Sequence, residues 1–443
     1  MNPSPRFWLR LAHLCRIWRH IVFASPGEPL ARLQLVFTHG TPVSKILDCW
    51  PALPIVPEYG GSLALNPPAP EDEDNIMAAL KQSDRVTSIS LTVTSSLLER
   101  LSAVEEPFSE LEHLVLLTRD NVQLTLPSTF RWGPRLRYLH LTTRIAFYTL
   151  LQLLHSSGNL VDLQLHGVLN PRRFSLDTFA NTLSGMAWCQ SLSLYFLPTD
   201  YYLTLSPPPG ERVVLPVLTR LNFRGFAEYL DYLVARTDAP HLREIEVTFF
   251  NSNNRMFDLS PLAKFIDRTG MHTSHRRAHI LSFERAISIS LIQPGSATCL
   301  KLRLLREPMS EQRTFMGQVC IHFSALLFNV EDLRISATRP SRWYEGFFNA
   351  WLRRPLNAFT GVNRLHVVGN LSTAILQAFQ LDPLQNLYVL QPGPRHVPLR
   401  EAVVSYMISR RLSGYPIEVE YEQSEREPCG TGTIYASDTA ATH

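Results

Sequence analysis

The chain has no pair of cysteines spaced CxxC, and its six cysteines, at 15, 49, 189, 299, 320 and 429, form no short framework. That pattern argues against a disulfide scaffold or a zinc ribbon and for reduced thiols in the cytoplasm or nucleus. No run approaches the 18 or so apolar residues that a membrane-spanning helix requires. The 443 residues carry a formal net charge of only +3, too little to imply a nucleic-acid partner by bulk electrostatics. Catalytic signatures are missing as well. GxSxG, HExxH, GxxxxGK[ST] and GxGxxG do not occur, so no nucleophile elbow, metalloprotease helix or phosphate loop can be placed. These absences exclude the commonest enzyme classes and leave binding as the first expectation, with no catalytic residue, metal or cofactor assigned.

What is present is ordinary globular composition, 45% hydrophobic and 18% charged, with 32 prolines collected in stretches such as "NPPAP" (66–70), "SPPPG" (206–210) and "QPGPRHVP" (391–398). Proline cannot continue a helix or a central strand, so these stretches punctuate the elements. Between them a frame recurs: apolar, two residues, apolar, one residue, apolar. It occupies Val86–Leu91, Leu111–Leu116, Leu136–Leu141, Leu160–Leu165, Cys189–Leu194, Leu218–Phe223 and Leu242–Val247. At this apolar content a match arises by chance at about one site in eleven, so the frame alone means little. The spacing carries the signal. Successive starts lie 25, 25, 24, 29, 29 and 24 residues apart, close to the period of leucine-rich repeats.

The intervening segments "IAFYTLLQLLHSSGN" (145–159), "SLDTFANTLSGMAW" (175–188) and "FAEYLDYLVARTDAP" (226–240) place apolar residues at steps of three and four, the helical period. Helix, break and short strand therefore alternate. Such a unit cannot bury both faces alone, whereas stacked copies make one parallel sheet with a row of helices behind it. The expected fold is an α/β leucine-rich-repeat-like solenoid over residues 27–421, with the parallel sheet on the concave face and helices outside. After about 250 the repeats blur. Residues 276–292 and 297–305 read as strands, 311–329 as a long helix, and the frame returns at Val330–Ile335, Val362–Val367 and Leu384–Val389. No asparagine or cysteine ladder follows the frames, so uneven curvature is expected. Residues 422–443 are polar and small, and read as a disordered tail.

Residues 1–26 differ from the rest. Phe7, Leu11, Leu14, Trp18 and Ile21 form one helical stripe, while Arg6, Arg10, Arg16, Arg19, His13 and His20 mostly take the other face. A docking helix, an arginine-rich targeting peptide and a cap on the first repeat would each produce this pattern. "RLAHLCRIWRHIVFASP" (10–26) resembles the last third of an F-box, which ends on an apolar residue, Cys, a basic residue, any residue, Trp and Arg. Leu14, Cys15, Arg16, Trp18 and Arg19 match it in order, and Leu11 precedes them on the same helical stripe. The continuation, through "EDEDNIMAALKQSDRVTSISL" (71–91), is similar to the F-box proteins with degenerate leucine-rich repeats of mushroom-forming fungi. The resemblance implies a short N-terminal F-box-remnant helix that binds a Skp-type adaptor of a cullin-based ubiquitin ligase, and repeats that hold a protein substrate. It also implies an opening Leu-Pro-x-Glu helix that this chain does not contain, so the F-box is expected to be incomplete.

Three smaller features complete the reading. His272, His275 and His279 would share one face of a helix, yet no acid or cysteine stands beside them to complete a metal site. "EDEDN" (71–75) suits the first turn of a helix, where carboxylates meet the positive end of the dipole. The residues flanking the later frame positions should face outward from the sheet. Among them Asn222, Arg224, Glu244 and Glu246, with Arg334 and His366, are the expected protein-binding residues. Their mixed charge suits a protein surface better than a phosphate backbone.

Overall fold

The computed structural model describes residues 33–36, 43, 44, 47, 54–59, 70–104, 106–118, 126, 130, 134–142, 147–169, 176–196, 211–250, 258–272, 275–283, 286–295, 298–305, 309–337, 358–368, 386–391, 397–414 and 416–423. Its contacts divide the chain into two units, Met1–Met271 and His272–His443.

The first unit is a parallel sheet backed by helices. Its strands are β1 (Leu33–Val36), β2 (Ile55–Tyr59), β3 (Ser88–Thr92), β4 (His113–Leu117), β5 (Tyr138–Thr142), β6 (Asp162–Leu169), β7 (Ser191–Phe196), β9 (Arg220–Gly225) and β11 (Glu244–Phe250), hydrogen-bonded in that order. Every neighbouring pair is parallel. The short strands β8 (Val213–Val214) and β10 (Thr237–Asp238) make a separate two-stranded ladder, which the sequence did not announce. The helices are α1 (Pro70–Leu80), α2 (Ser95–Ser102), α3 (Phe147–Ser156), α4 (Leu176–Leu183), α5 (Ala227–Arg236) and α6 (Ser260–Asp267). Neighbouring helices pack on one another, α3 on α4, α4 on α5 and α5 on α6.

The repeated frame explains this arrangement residue by residue. Its first apolar position lies just before each strand, and its second and third lie within the strand, two residues apart on one side of the pleat. Leu111, Leu136, Leu160, Leu218 and Leu242 at the first position are at most 1% exposed, and so are Leu139, Leu163 and Ile245 at the second. Behind them sit the apolar stripes of the helices, including Leu97 and Leu101, Leu150 and Leu153, Phe179 and Leu183, Leu230 and Leu233, all buried. The acidic run opens α1 as expected, with Glu71, Asp72 and Glu73 in its first turn. Two of these acids are also internal ties. Asp72 accepts from the Tyr59 hydroxyl at 3.3 Å, and Glu73 accepts from Thr94 at 2.8 Å and from Ser96 at 2.9 Å.

The second unit, where the repeats blur, departs from an all-parallel sheet. Its strands are β12 (Arg277–Phe283), β13 (Ala286–Ile292), β14 (Cys299–Leu305), β15 (Asp332–Ala337), β16 (Arg364–Val368), β17 (Asn386–Gln391) and β18 (Glu418–Gln423). They are ordered β14-β13-β12-β15-β16-β17-β18. From β12 to β18 the neighbours are parallel, but β13 runs antiparallel to both β12 and β14. The reason is connection length. Only two residues separate Phe283 from Ala286, and a parallel return needs a crossover of about a dozen or more. The turn into β14 uses Gly295 at φ 76°, in the left-handed region that favours glycine. The expected long helix divides into α7 (Met309–His322) and α8 (Ser324–Phe328), and α9 (Val397–Leu412) precedes β18. That last strand ends at Gln423.

Candidate protein-binding face

The side of the strands opposite the core carries polar residues in three rows of the first unit, held in register by the parallel pairing. One row is Ser88, His113, Tyr138, Asp162, Ser191, Arg220 and Glu244. The next is Ser90, Val115, His140, Gln164, Ser193, Asn222 and Glu246. The third is Thr92, Leu117, Thr142, His166, Tyr195, Arg224 and Thr248. Neighbours in a row are about 4.8 Å apart, which is contact distance for side chains.

The expected residues Asn222, Arg224, Glu244 and Glu246 do come together here, on the adjacent strands β9 and β11. Glu244 is taken by Arg220 at 2.8 Å, and Asn222 lies opposite Glu246. Arg224 lies near two rings, 4.2 Å from the centre of Tyr195 and 5.0 Å from that of Phe250. Such cation–π contacts help to hold the guanidinium plane in place.

A line of rings continues from Tyr195. Its centre is 5.3 Å from His166, which stands edge-on to His140 at 4.9 Å, while His113 stacks on Tyr138 at 4.3 Å. His166 Nε2 hydrogen-bonds with the Ser193 hydroxyl at 3.3 Å, and His140 Nε2 with that of Thr142 at 3.0 Å. Burial, together with the positive potential of His140 and Arg224, pushes the His166 pKa down to about 4. Burial also lowers that of His140, against an opposing pull from Asp162. Both imidazoles are therefore neutral near pH 7. His166, Thr248 and Phe250 escaped the sequence reading because they lie beyond the last apolar position of their frames. His166 and Thr248 share the seventh position with Tyr195 and Arg224, which was the available signal, while Phe250 is ninth.

In the second unit Arg334 and His366 are register neighbours on β15 and β16. His366 approaches Asp332 at 3.4 Å and stacks on Tyr388 with centres 4.4 Å apart, and Arg277 reaches Asp332 at 3.6 Å. Leu11, Leu14, Cys15, Arg16, Trp18 and Arg19 lie outside the described residues.

The histidine triplet does not assemble. His279 is on β12, hydrogen-bonded with Ser336 at 3.2 Å, and His275 is fully buried. Among the described residues no three His, Cys, Asp or Glu side chains are grouped to hold a metal ion. Burial raises the thiols of Cys189 and Cys320 to about 12, and with Cys299 they are free of disulfides. No helix among the described residues is long and apolar enough to cross a membrane.

No family model matches the chain, and no curated protein matches it. Among solved structures it is similar to the leucine-rich repeat-containing protein LegL7 from Legionella pneumophila, at 11% identity over 81% of each chain and with a TM-score of 0.29.

Proposed function

We propose that this chain is a non-catalytic protein-binding receptor, a repeat solenoid that holds a partner protein against the concave, polar face of its parallel sheet. The observation that carries the reading is the three-row polar face, with Arg224 set near Tyr195 and Phe250 at one end. Arginine and tyrosine are the residue types that concentrate binding energy when a partner excludes water from them. Mixed charge around such an anchor suits a folded protein or peptide, and the rigid sheet fixes the anchor before the partner arrives.

The resemblance of residues 10–26 to the end of an F-box extends the proposal. The receptor would be the substrate-recognition subunit of a Skp/cullin/F-box-type ubiquitin ligase in the cytoplasm or nucleus. Leu11, Leu14, Cys15, Arg16, Trp18 and Arg19 would meet the Skp-type adaptor. Such a receptor forms no bonds itself and speeds transfer by holding substrate beside the transfer machinery. A scaffold that binds proteins without ligase coupling would use the same face.

Adaptor co-purification separates the two. The receptor reading expects the full chain to retain a Skp-type adaptor and Trp18→Ala to lose at least nine-tenths of it. Failure of the unmodified chain to retain adaptor, while it still retains a partner through the sheet face, would establish the scaffold reading instead.

A further inference from the structure

At the N-terminal edge of strands β4–β7 an open cleft of about 600 Å³ is lined by Glu112, Arg135, Arg137, Asn159, Val161, Trp188 and Gln190. Its size lies within the range of ligand-binding clefts. Its residues come from two repeated positions. Glu112, Arg137, Val161 and Gln190 follow one another across the sheet, because each backbone carbonyl in the series accepts from the next residue's N–H at 2.8 or 2.9 Å. Arg135, Asn159 and Trp188 each stand one residue before a frame, and form the wall.

Two of these side chains are not explained by the fold. Trp188 is 60% exposed. The equivalent positions of other repeats are Glu110, Val217 and His241, so the repeat does not call for an indole. Arg135 pairs with Glu110, and Asn159 donates to the Pro134 carbonyl at 3.0 Å. Among the described residues, however, nothing pairs with the guanidinium of Arg137, which is exposed, and the amide of Gln190 is likewise open. A free cation, an exposed indole and an open amide together offer charge, stacking and backbone hydrogen bonding over about 14 Å of sheet edge, room for roughly four extended residues.

We propose that this cleft binds an extended segment of a partner protein in which an acidic side chain stands beside an apolar or aromatic one. The carboxylate lies on Arg137, the apolar side chain on the Trp188 ring, and the amide of Gln190 meets the segment's backbone. Glu112 gives the cleft a direction, since its charge repels an acid at the β4 end and leaves the β5–β7 end for it. The site is on a different edge from the polar face and does not depend on the reading of that face.

The test uses the full chain and a capped hexapeptide, acetyl-Gly-Asp-Leu-Asp-Phe-Gly-amide, against the same peptide with Asn for Asp. The readout is the Trp188 indole N–H resonance, assigned by its loss in Trp188→Phe. We expect saturable shifts with the acidic peptide, and binding at least tenfold weaker for the Asn peptide and for both Arg137→Glu and Arg137→Gln. Glu112→Gln should bind the acidic peptide several-fold more tightly. Arg224→Ala, on the polar face, should leave this binding unchanged while weakening capture of the protein partner, so the two readings fail separately. Equal binding of both peptides, no shift at all, an equal shift from acetate alone, or a resonance that moves only with protein concentration would each overturn the proposal, the last two by assigning the cleft to small anions or to a second copy.

Discussion

His166 shows how one residue on the polar face responds to its surroundings. Its ring hydrogen-bonds with Ser193 and sits between His140 and Tyr195, and its pKa is pushed from 6.5 to about 4, first by burial and then by His140 and Arg224. In the unfolded chain the same group takes up a proton near pH 6.5, so between about 6.5 and 4 the unfolded state binds more protons than the folded one. The stability tied to the neutral ring is present above pH 6.5 and is lost as pH falls toward 4. Its full size is at most about 3 kcal/mol, reduced by solvent because the ring is only partly buried. Thermal unfolding of the chain should therefore shift to lower temperature between pH 7 and pH 4, and His166→Phe should flatten part of that slope while keeping a ring beside Tyr195. An unchanged slope in the variant would show that other groups carry it. Sequence reading placed Arg224 on this surface, beside the strand that carries Glu244 and Glu246, but did not reveal its rings. The rings that hold it come from β7 and β11, and sequence separation does not reveal which side chains share a row until the register is known.

Among the elements, the segments that were legible are those where burial and period agree. The strands β3 through β7, β9 and β11 each follow a frame, because the same two alternate positions must face the helices in every repeat. Element ends depended on capping, which is less visible. Thr94 begins α2 by accepting from the Leu97 N–H at 3.1 Å while donating to Glu73 of α1 at 2.8 Å. One hydroxyl thus joins two helices. Thr94→Ala should cost about 1–2 kcal/mol in denaturant unfolding, and Thr94→Ser should restore most of it. A loss near zero would mean that Ser96, which also donates to Glu73, holds the junction by itself. At β12–β14 the sequence showed strands but not their direction, and the run 276–292 divides into two of them. Period-two alternation looks the same in parallel and antiparallel strands, and only the two-residue gap at 284–285 distinguishes them.

For the molecule as a whole, the repeat spacing made a mixed α/β architecture with a large parallel sheet readable before any coordinates. The division at Met271 and His272 was visible only as a loss of regularity after 250. The absence of catalytic motifs left binding as the expectation, and the proposed surface is the outer side of the sheet: three largely polar rows across β3–β11, opposite a layer of leucines that are almost completely buried. The account therefore rests on the claim that this face, and not the helical side, meets the partner. Photo-crosslinking tests it most directly, with p-benzoylphenylalanine placed in the full chain at Asn222, at Glu246 and at Tyr148, the last 57% exposed on α3, in cells that express the protein. The account predicts one discrete crosslinked partner shared by Asn222 and Glu246 and missing at Tyr148. A partner captured from Tyr148 and not from either strand position would contradict it.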